Sequence, residues 1–326
     1  MVSGKGKRKT PIQRLSEWID QCLAKLKQYT KDIHICGNRN SFSKTDHDAT
    51  FMHMKEDYMR NGQLKPGYNV NVATCSDFII GSYISSDRND VHTLIPFMEQ
   101  LRKNYAGRNI GSVVVDSGYE SEENYCWFEA HPETELYVKP SNHEAVKHRK
   151  YRTDISRREN MAYDAQTDTY TCANGKLLQR TQEKKTHTAS GLEIATSVYE
   201  CNECDGCPLK EKCIRACGSK KPLEERYKVI YVSKRFARQR QAMEAKISSP
   251  KGCLLRVNRS IQAEGNFAYV KQDLDFRRFL LRGNMKVAAE WLLFSLALNI
   301  LHLHHKIQNR RLGSDLKIPS SFPAGL

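Results

Sequence analysis

The chain has 326 residues but no apolar run of the roughly 20 residues that a bilayer-spanning helix needs. Its most apolar stretch, Trp291–Leu303, is interrupted by Ser295 and Asn299 and reads as a buried core helix, so no membrane partner is expected. No apolar h-region follows the basic leader MVSGKGKRKTPIQ, which excludes a secretory signal; the expected location is the cytoplasm. No internal repeat marks a solenoid. Acidic residues are in deficit, 37 Asp and Glu against 52 Lys and Arg for a net charge of +15, and that excess favours a polyanionic partner, nucleic acid above all. Cysteine is not scarce. Eleven occur, four of them within Cys201–Cys213, and in a long chain without a secretory signal such clustering points to metal rather than to a disulfide framework. Cys22, Cys36, Cys75, Cys126 and Cys253 stand alone and are expected to be buried as small hydrophobes.

A chain of this length buries a substantial core, in one large domain or two moderate ones. Ile12, Leu15, Trp18, Ile19, Cys22, Leu23, Leu26 and Tyr29 recur at intervals of three and four, predicting an amphipathic helix over Pro11–Thr30 that packs one face on something. Residues 31–67 read as polar loop with a short helical piece over Ala49–Arg60. The alternation in Tyr68–Thr74 and Phe78–Ile84, on either side of Ser76-Asp77, predicts an antiparallel hairpin. Then follow a helix carrying Val91, Leu94, Ile95, Met98, Leu101 and Tyr105, an apolar strand Ser112–Val115 ending on Asp116, a helix Ser121–Ala130 and a strand Thr134–Val138. This order belongs to the α/β class, with a parallel sheet covered by helices. From His143 to Lys221 the pattern is lost among basic runs and cysteines, as in an insertion. Helical periodicity returns around Phe236–Lys246, Ile261–Leu274 and Met285–His304.

Two carboxylates and one cysteine cluster are the chemical candidates. Asp116 closes a buried strand, the edge at which open α/β sheets bind ligands; the plainer reading is that it caps the following turn. Glu264, Ala268 and Lys271 share one helical face, which by periodicity alone is equally a solvated surface. Cys204-Asp-Gly-Cys207 forms a CxxC knuckle, Cys213 follows, and Cys172 in Tyr-Thr-Cys-Ala-Asn-Gly completes a tetrahedral thiolate set; Cys201 and Cys217 compete for the fourth place. Lys147, Arg149, Lys150, Arg152, Arg157 and Arg158, then Arg256, Arg259, Lys271, Arg277, Arg278 and Arg282, with Tyr151, Tyr269 and Phe276 interleaved, suit contact with a phosphate backbone. His302, His304 and His305 read as the polar face of a helix end rather than a metal site.

Three stretches carry a resemblance: TDHDATFMHMKEDYMRNGQLKPGYNV at 45–70, VVVDSGYESEENY at 113–125 and RSIQAEGNFAYVKQDLDFRRFLLRG at 259–283. In this order they resemble the DDE transposases of bacterial insertion sequences, in the subgroup whose ribonuclease-H-like core is split by a cysteine-containing insertion. The likeness spans roughly residues 35–305. It implies an α/β fold with a ribonuclease-H-like mixed sheet flanked by helices, and a cysteine-rich zinc-binding insertion before the last catalytic helix. It implies a triad of two Asp and one Glu binding Mg²⁺ or Mn²⁺, with Asp116 matching the second Asp and Glu264 the Glu. Hard cations need such carboxylate oxygens, and a pair of ions serves both the attacking and the leaving oxygen. Lys271 matches the lysine that contacts DNA near the cut, with Arg259, Arg277, Arg278 and Arg282 around it. Cys172, Cys204, Cys207 and Cys213 match the family's cysteines and are the implied Zn²⁺ ligands. The partner is double-stranded DNA at insertion-sequence ends, with a homo-oligomer compatible.

One departure concerns the first Asp. In the resembling enzymes it lies on a strand that opens the core, and residues 1–10 hold no such strand. Asp46 and Asp48 lie in Lys44-Thr-Asp-His-Asp-Ala, of loop composition and with no apolar run before it. The expectation is an N-terminally truncated transposase lacking the first core strand and impaired in catalysis. The rivals are a non-catalytic DNA-binding remnant and a zinc-binding interaction module, the latter disfavoured by the basic excess. The expected division is an N-terminal helix and linker (1–67), the first part of the core (68–140), the basic and cysteine-rich insertion (141–235), C-terminal helices completing the core (236–306) and a tail (307–326).

Overall fold

The chain, seen here in a computed structural model, is described at residues 6, 8–54, 61–215, 221–313 and 316. It divides into two units, one made of Met1–Thr93 and Gln262–Asp315, the other of Leu94–Ile261 and Leu316–Leu326.

The first unit begins with helix α1 (Pro11–Cys36), which has Pro11 in its first turn and the Thr10 hydroxyl accepting from the Gln13 N–H. No breaker intervenes before Gly37, at φ +56°, so the helix runs past the expected end at Thr30. None of its residues is buried. Strands β1 (Thr50–Met52) and β2 (Lys65–Gly67) pair antiparallel, so a strand stands where the helical piece over Ala49–Arg60 was expected; residues 55–60 of that piece lie outside the described residues. The predicted hairpin forms from β3 (Asn69–Cys75) and β4 (Phe78–Ser85). Ser76 and Asp77 both have positive φ, the backbone that a two-residue hairpin turn matched to strand twist requires.

In the second unit α2 (Leu94–Asn104) precedes β5 (Ser112–Val115), α3 (Glu122–Glu129) and β6 (Glu135–Val138). β5 and β6 are parallel, with Ser112 opposite Glu135 and Val115 opposite Val138, joined through α3 as a crossover. A short turn of helix, α4 (Arg149–Arg152), leads into five strands: β7 (Ala162–Asp164), β8 (Thr169–Thr171), β9 (Leu177–His187), β10 (Glu193–Cys201) and, after the one-turn α5 (Lys210–Cys213), β11 (Lys228–Val232). They form an antiparallel sheet in the order β11-β10-β9-β8-β7 around Met161, Leu178, Tyr199, Cys201, Ile230 and Val232. The insertion therefore has its own sheet and core. Helices α6 (Lys234–Ser248) and α7 (Pro250–Arg259) follow, folded back so closely that a Cβ on Gly252 would fall 2.3 Å from the Lys246 carbonyl oxygen.

The chain then returns to the first unit through α8 (Gly265–Ala268) and α9 (Asn284–Gln308). One face of α9 closes on the hairpin in a core of Ile79, Val270, Trp291 and Leu298, with Val70, Val72, Ile84 and Phe267 packed against it. The Asn299 amide imitates a neighbouring strand, donating to the Ile79 carbonyl and accepting the Ile79 N–H, both at 2.8 Å. By length and composition α9 is apolar enough to cross a membrane, longer than the stretch marked out in the sequence. Within it the buried Glu290 accepts the N–H groups of Leu280 and Leu281.

The single mixed sheet expected from the sequence is not seen among the described residues. The hairpin β3–β4 and the parallel pair β5–β6 are separate two-stranded sheets, in different units. The lone cysteines are also not buried: Cys22 and Cys75 are exposed, and Cys36, Cys126 and Cys253 half-buried. Cys22 lies on the unpacked α1 and Cys75 at the hairpin tip, where no core forms to receive them.

Candidate active site and cysteine cluster

Asp116 is exposed at the C-terminal end of β5. Its Oδ1 accepts the Ser117 N–H at 2.7 Å and the Ser117 hydroxyl at 3.4 Å, and caps the 3₁₀ turn Ser117–Tyr119. The turn is fixed by a residue that the sequence reading passed over. Glu120 has a side chain only 2% exposed and is gripped by both ends of the Arg240 fork, Nε to Oε1 and Nη2 to Oε2, each at 2.8 Å. The Ser141 N–H and the Tyr125 hydroxyl complete its partners. Burial pushes the carboxyl up, but Arg240 and the Ser141 N–H outweigh it and hold Glu120 below the usual carboxylate range. Arg240, on α6, thus ties a helix far along the sequence to the turn that presents Asp116. A buried acid five residues after a strand end carries no such signal in sequence until its partner is known.

Glu264 lies in the other unit, exposed, at the end of a π-helical turn over Ser260–Glu264; Lys271 lies in a second π turn over Tyr269–Asp273, also exposed. Such turns account for well under about 1% of residues, insert an extra residue that re-aims side chains, and concentrate at functional sites. The helix predicted over Ile261–Leu274 is thus two π turns around the short α8. Beneath it the Asn266 amide bonds the Gln262 carbonyl and the His302 ring, at 2.7 and 2.8 Å, so His302 supports the segment. Arg277, Arg278 and Arg282 are exposed in the following loop, Arg277 paired with Asp275, and Arg259 is half-buried at the end of α7.

Asp46 and Asp48 have a different task. Asp48 Oδ2 accepts the Asn284 N–H at 2.8 Å, while Asp46 accepts the Gly283 N–H at 3.2 Å and the Tyr68 hydroxyl at 2.6 Å. They cap the positive end of the α9 dipole, and burial and the Asp46 bond raise the Tyr68 hydroxyl's pKa.

The cysteines come together. Cys172, Cys201, Cys204, Cys207 and Cys213 line one small cavity of about 20 Å³, with Lys176, Lys210 and Lys228. The Lys228 N–H points at Cys204 Sγ at 3.4 Å, and its buried amine bonds the carbonyls of Ser156 and Cys213. Burial pushes the Cys201 thiol up to about 11 and raises Cys213 as well. Soft sulfur donors around a cavity of this size fit zinc in their chemistry. Among the described residues, however, no group of three or more His, Cys, Asp or Glu side chains stands in a metal-holding arrangement, at this cluster or around Asp116 and Glu264. Cys201 lines the cavity beside the four family-matched cysteines; Cys217 lies outside the described residues.

The insertion sheet is pinned by Asp168. Its carboxylate takes both 2.8 Å bonds from Lys234 and further bonds from the Tyr199 and Tyr163 hydroxyls. Burial opposes its ionisation, but these donors prevail and hold it at about 2.

Among curated proteins no match is found, and none among solved structures. Residues 171–304, under half of the chain but holding Glu264, Lys271 and all five cavity-lining cysteines, match the family model of the transposase DDE domain, which supports a DDE transposase whose substrate is DNA.

Proposed function

We propose that the chain is a DDE transposase core of the ribonuclease-H-like kind. In this reading Asp116 and Glu264 together hold a divalent cation, Mg²⁺ or Mn²⁺, and Arg259, Lys271, Arg277, Arg278 and Arg282 hold the DNA backbone. The single observation that carries it is the family match over residues 171–304, in which Glu264 and Lys271 fall on two π turns either side of α8. A cation held there would activate the attacking oxygen as a Lewis acid, and a second ion beside it would stabilise the leaving one. The protein's part is to present Asp116 from a turn locked by Glu120 and Arg240, and to meet phosphates with exposed cations. Cys172, Cys204, Cys207 and Cys213 are proposed as the ligands of a structural zinc, with Cys201 the competing thiol.

The third carboxylate is not identified among the described residues. Asp46 and Asp48 are committed to the α9 terminus, so this chain by itself is proposed to bind duplex DNA and to cut it weakly or not at all. Gel shifts over a salt series, beside a cleavage assay with Mg²⁺ or Mn²⁺ on insertion-sequence ends, test both halves. Binding should weaken with a log–log salt slope of about −0.9 per phosphate neutralised, and Lys271→Ala should reduce that slope. Salt-insensitive binding would remove the DNA reading. Metal-dependent cleavage abolished by Asp48→Ala would show that the first carboxylate had been misassigned.

A further inference from the structure

The segment between the second π turn and α9, residues 274–283, forms neither helix nor strand, yet its backbone is held along its length. The Phe276 N–H bonds the Val270 carbonyl at 3.1 Å, and the rings of Phe276 and Phe279, 5.3 Å apart, pack on the core of Ile79, Val270, Trp291 and Leu298. The N–H groups of Leu280 and Leu281 both go to the Glu290 carboxylate, at 2.9 and 3.0 Å, and the Gly283 N–H goes to Asp46 and the Tyr68 hydroxyl. A buried carboxylate is unfavourable unless donors answer it, so Glu290 and these two N–H groups fix one another's positions.

This fixed backbone leaves Leu280 82% exposed, with Leu281 half covered beside it and Arg277, Arg278 and Arg282 exposed on both sides in the chain. Arg277 pairs with Asp275, whereas Arg278 and Arg282 make no hydrogen bond or ion pair among the described residues. A lone exposed leucine is ordinary on a protein surface. One on a loop fixed from the core side, between cations left without partners, is a different object. The exposed Leu293 and Leu296 of α9 have no cation within five positions. Charge complementarity selects the partner: the apolar faces of DNA bases lie between two rows of phosphates, so a group that reaches them is apolar at its tip and cationic at its flanks. Leucine serves as such a wedge between base pairs, beside arginines drawn to the minor groove. A lipid surface calls for a larger apolar area than this loop offers.

We propose that Leu280 is a wedge, entering between two adjacent base pairs of bound duplex DNA and parting their stack while Arg278 and Arg282 hold the neighbouring phosphates. This rests on the reading of the chain as a DNA-binding transposase core, and adds to it a deformation of the DNA that charge alone does not produce. Glu290 is then a positioning residue, acting on the wedge through the main chain.

The test places an aminopurine base, whose fluorescence rises on unstacking, at successive positions of a duplex insertion-sequence end bound by the full chain, beside gel shifts over a salt series. Expected are a severalfold rise at one step with wild type, its loss in Leu280→Ser and its retention in Leu280→Phe, a larger wedge. Leu280→Ser should keep the wild-type salt slope because it removes no charge, whereas Arg278→Ala should make that slope shallower by about 0.9. Since Leu280 is so exposed, Leu280→Ser should keep the circular dichroism of wild type. Wild-type binding with a salt slope but no fluorescence rise at any position would overturn the wedge and leave the DNA reading standing. So would a rise that survives Leu280→Ser, or one removed instead by Met285→Ser, a residue 88% exposed at the start of α9. Absent or salt-insensitive binding would overturn both. Binding to phosphatidylserine vesicles that Leu280→Ser abolishes, with the fluorescence of bound DNA unchanged, would assign the loop to a lipid surface and overturn the wedge.

Discussion

Replacing Arg240 with methionine should destabilise the unit containing Asp116 by about 3 kcal/mol, the lower part of the range for breaking a buried ion pair. Glu120 is the reason: its side chain is 2% exposed against 24% for Arg240, so the substitution strands a desolvated carboxylate rather than a surface charge. The lower part of the range applies because the Ser141 N–H and Tyr125 hydroxyl still bond it. Over a unit of this size the cost corresponds to a fall of roughly 6–12 °C in Tm. The double variant Glu120→Gln, Arg240→Met should recover much of the loss, because no buried charge remains. The pH dependence has a definite sign. In the native protein Glu120 is held below its ordinary value, so its contribution is complete above the unfolded pKa and is lost as pH falls through the folded one. In Arg240→Met that contribution is gone, and the gap to wild type narrows on acidification. Urea denaturation followed by circular dichroism between pH 7 and 3 measures it. A cost under about 1 kcal/mol, as exposed pairs show, or a gap independent of pH, would refute the reasoning.

Asp168→Asn should loosen the insertion sheet at neutral pH, and the difference should close between about pH 4 and 2: a carboxyl held at about 2 gives stability above its unfolded value of about 3.9 that is lost as pH falls through the folded one. Acid titration of both proteins shows this, and a constant gap down to pH 2 would speak against it. Cys204→Ser should remove the zinc bound per chain in metal analysis of purified protein; unchanged zinc content would dismiss the thiolate site. Asp48→Ala should cost about 1 kcal/mol and speed amide exchange in the first turn of α9, whereas a catalytic Asp48 would leave exchange there untouched.

The elements that carry strong periodicity were legible in the sequence. Ser112–Val115 is a strand at the predicted bounds, the hairpin differs by a residue at its ends, and Asp116 stands where the apolar run placed it. The insertion sheet was not legible, because β9 reads LLQRTQEKKTH and only Leu178 on it is buried; a strand with polar residues on both faces has no alternation to detect. The π turns escaped for a related reason: helical periodicity is preserved on either side of Glu264, and one inserted residue is invisible until backbone bonds are known. The cysteine grouping was readable from spacing, although Cys201 joins the cavity through the end of β10, a tertiary placement. The tasks of Asp46, Asp48 and Glu120 depend on partners more than one hundred residues away.

The account rests on Asp116 and Glu264 sharing one cation, and electron paramagnetic resonance titration of Mn²⁺ addresses that directly. Wild-type protein should bind Mn²⁺ at a site that Asp116→Ala and Glu264→Ala each abolish, with the double variant losing no more than either single one, the non-additivity of residues acting on one ligand. Mn²⁺ affinity untouched by either substitution, or losses that simply add, would contradict it.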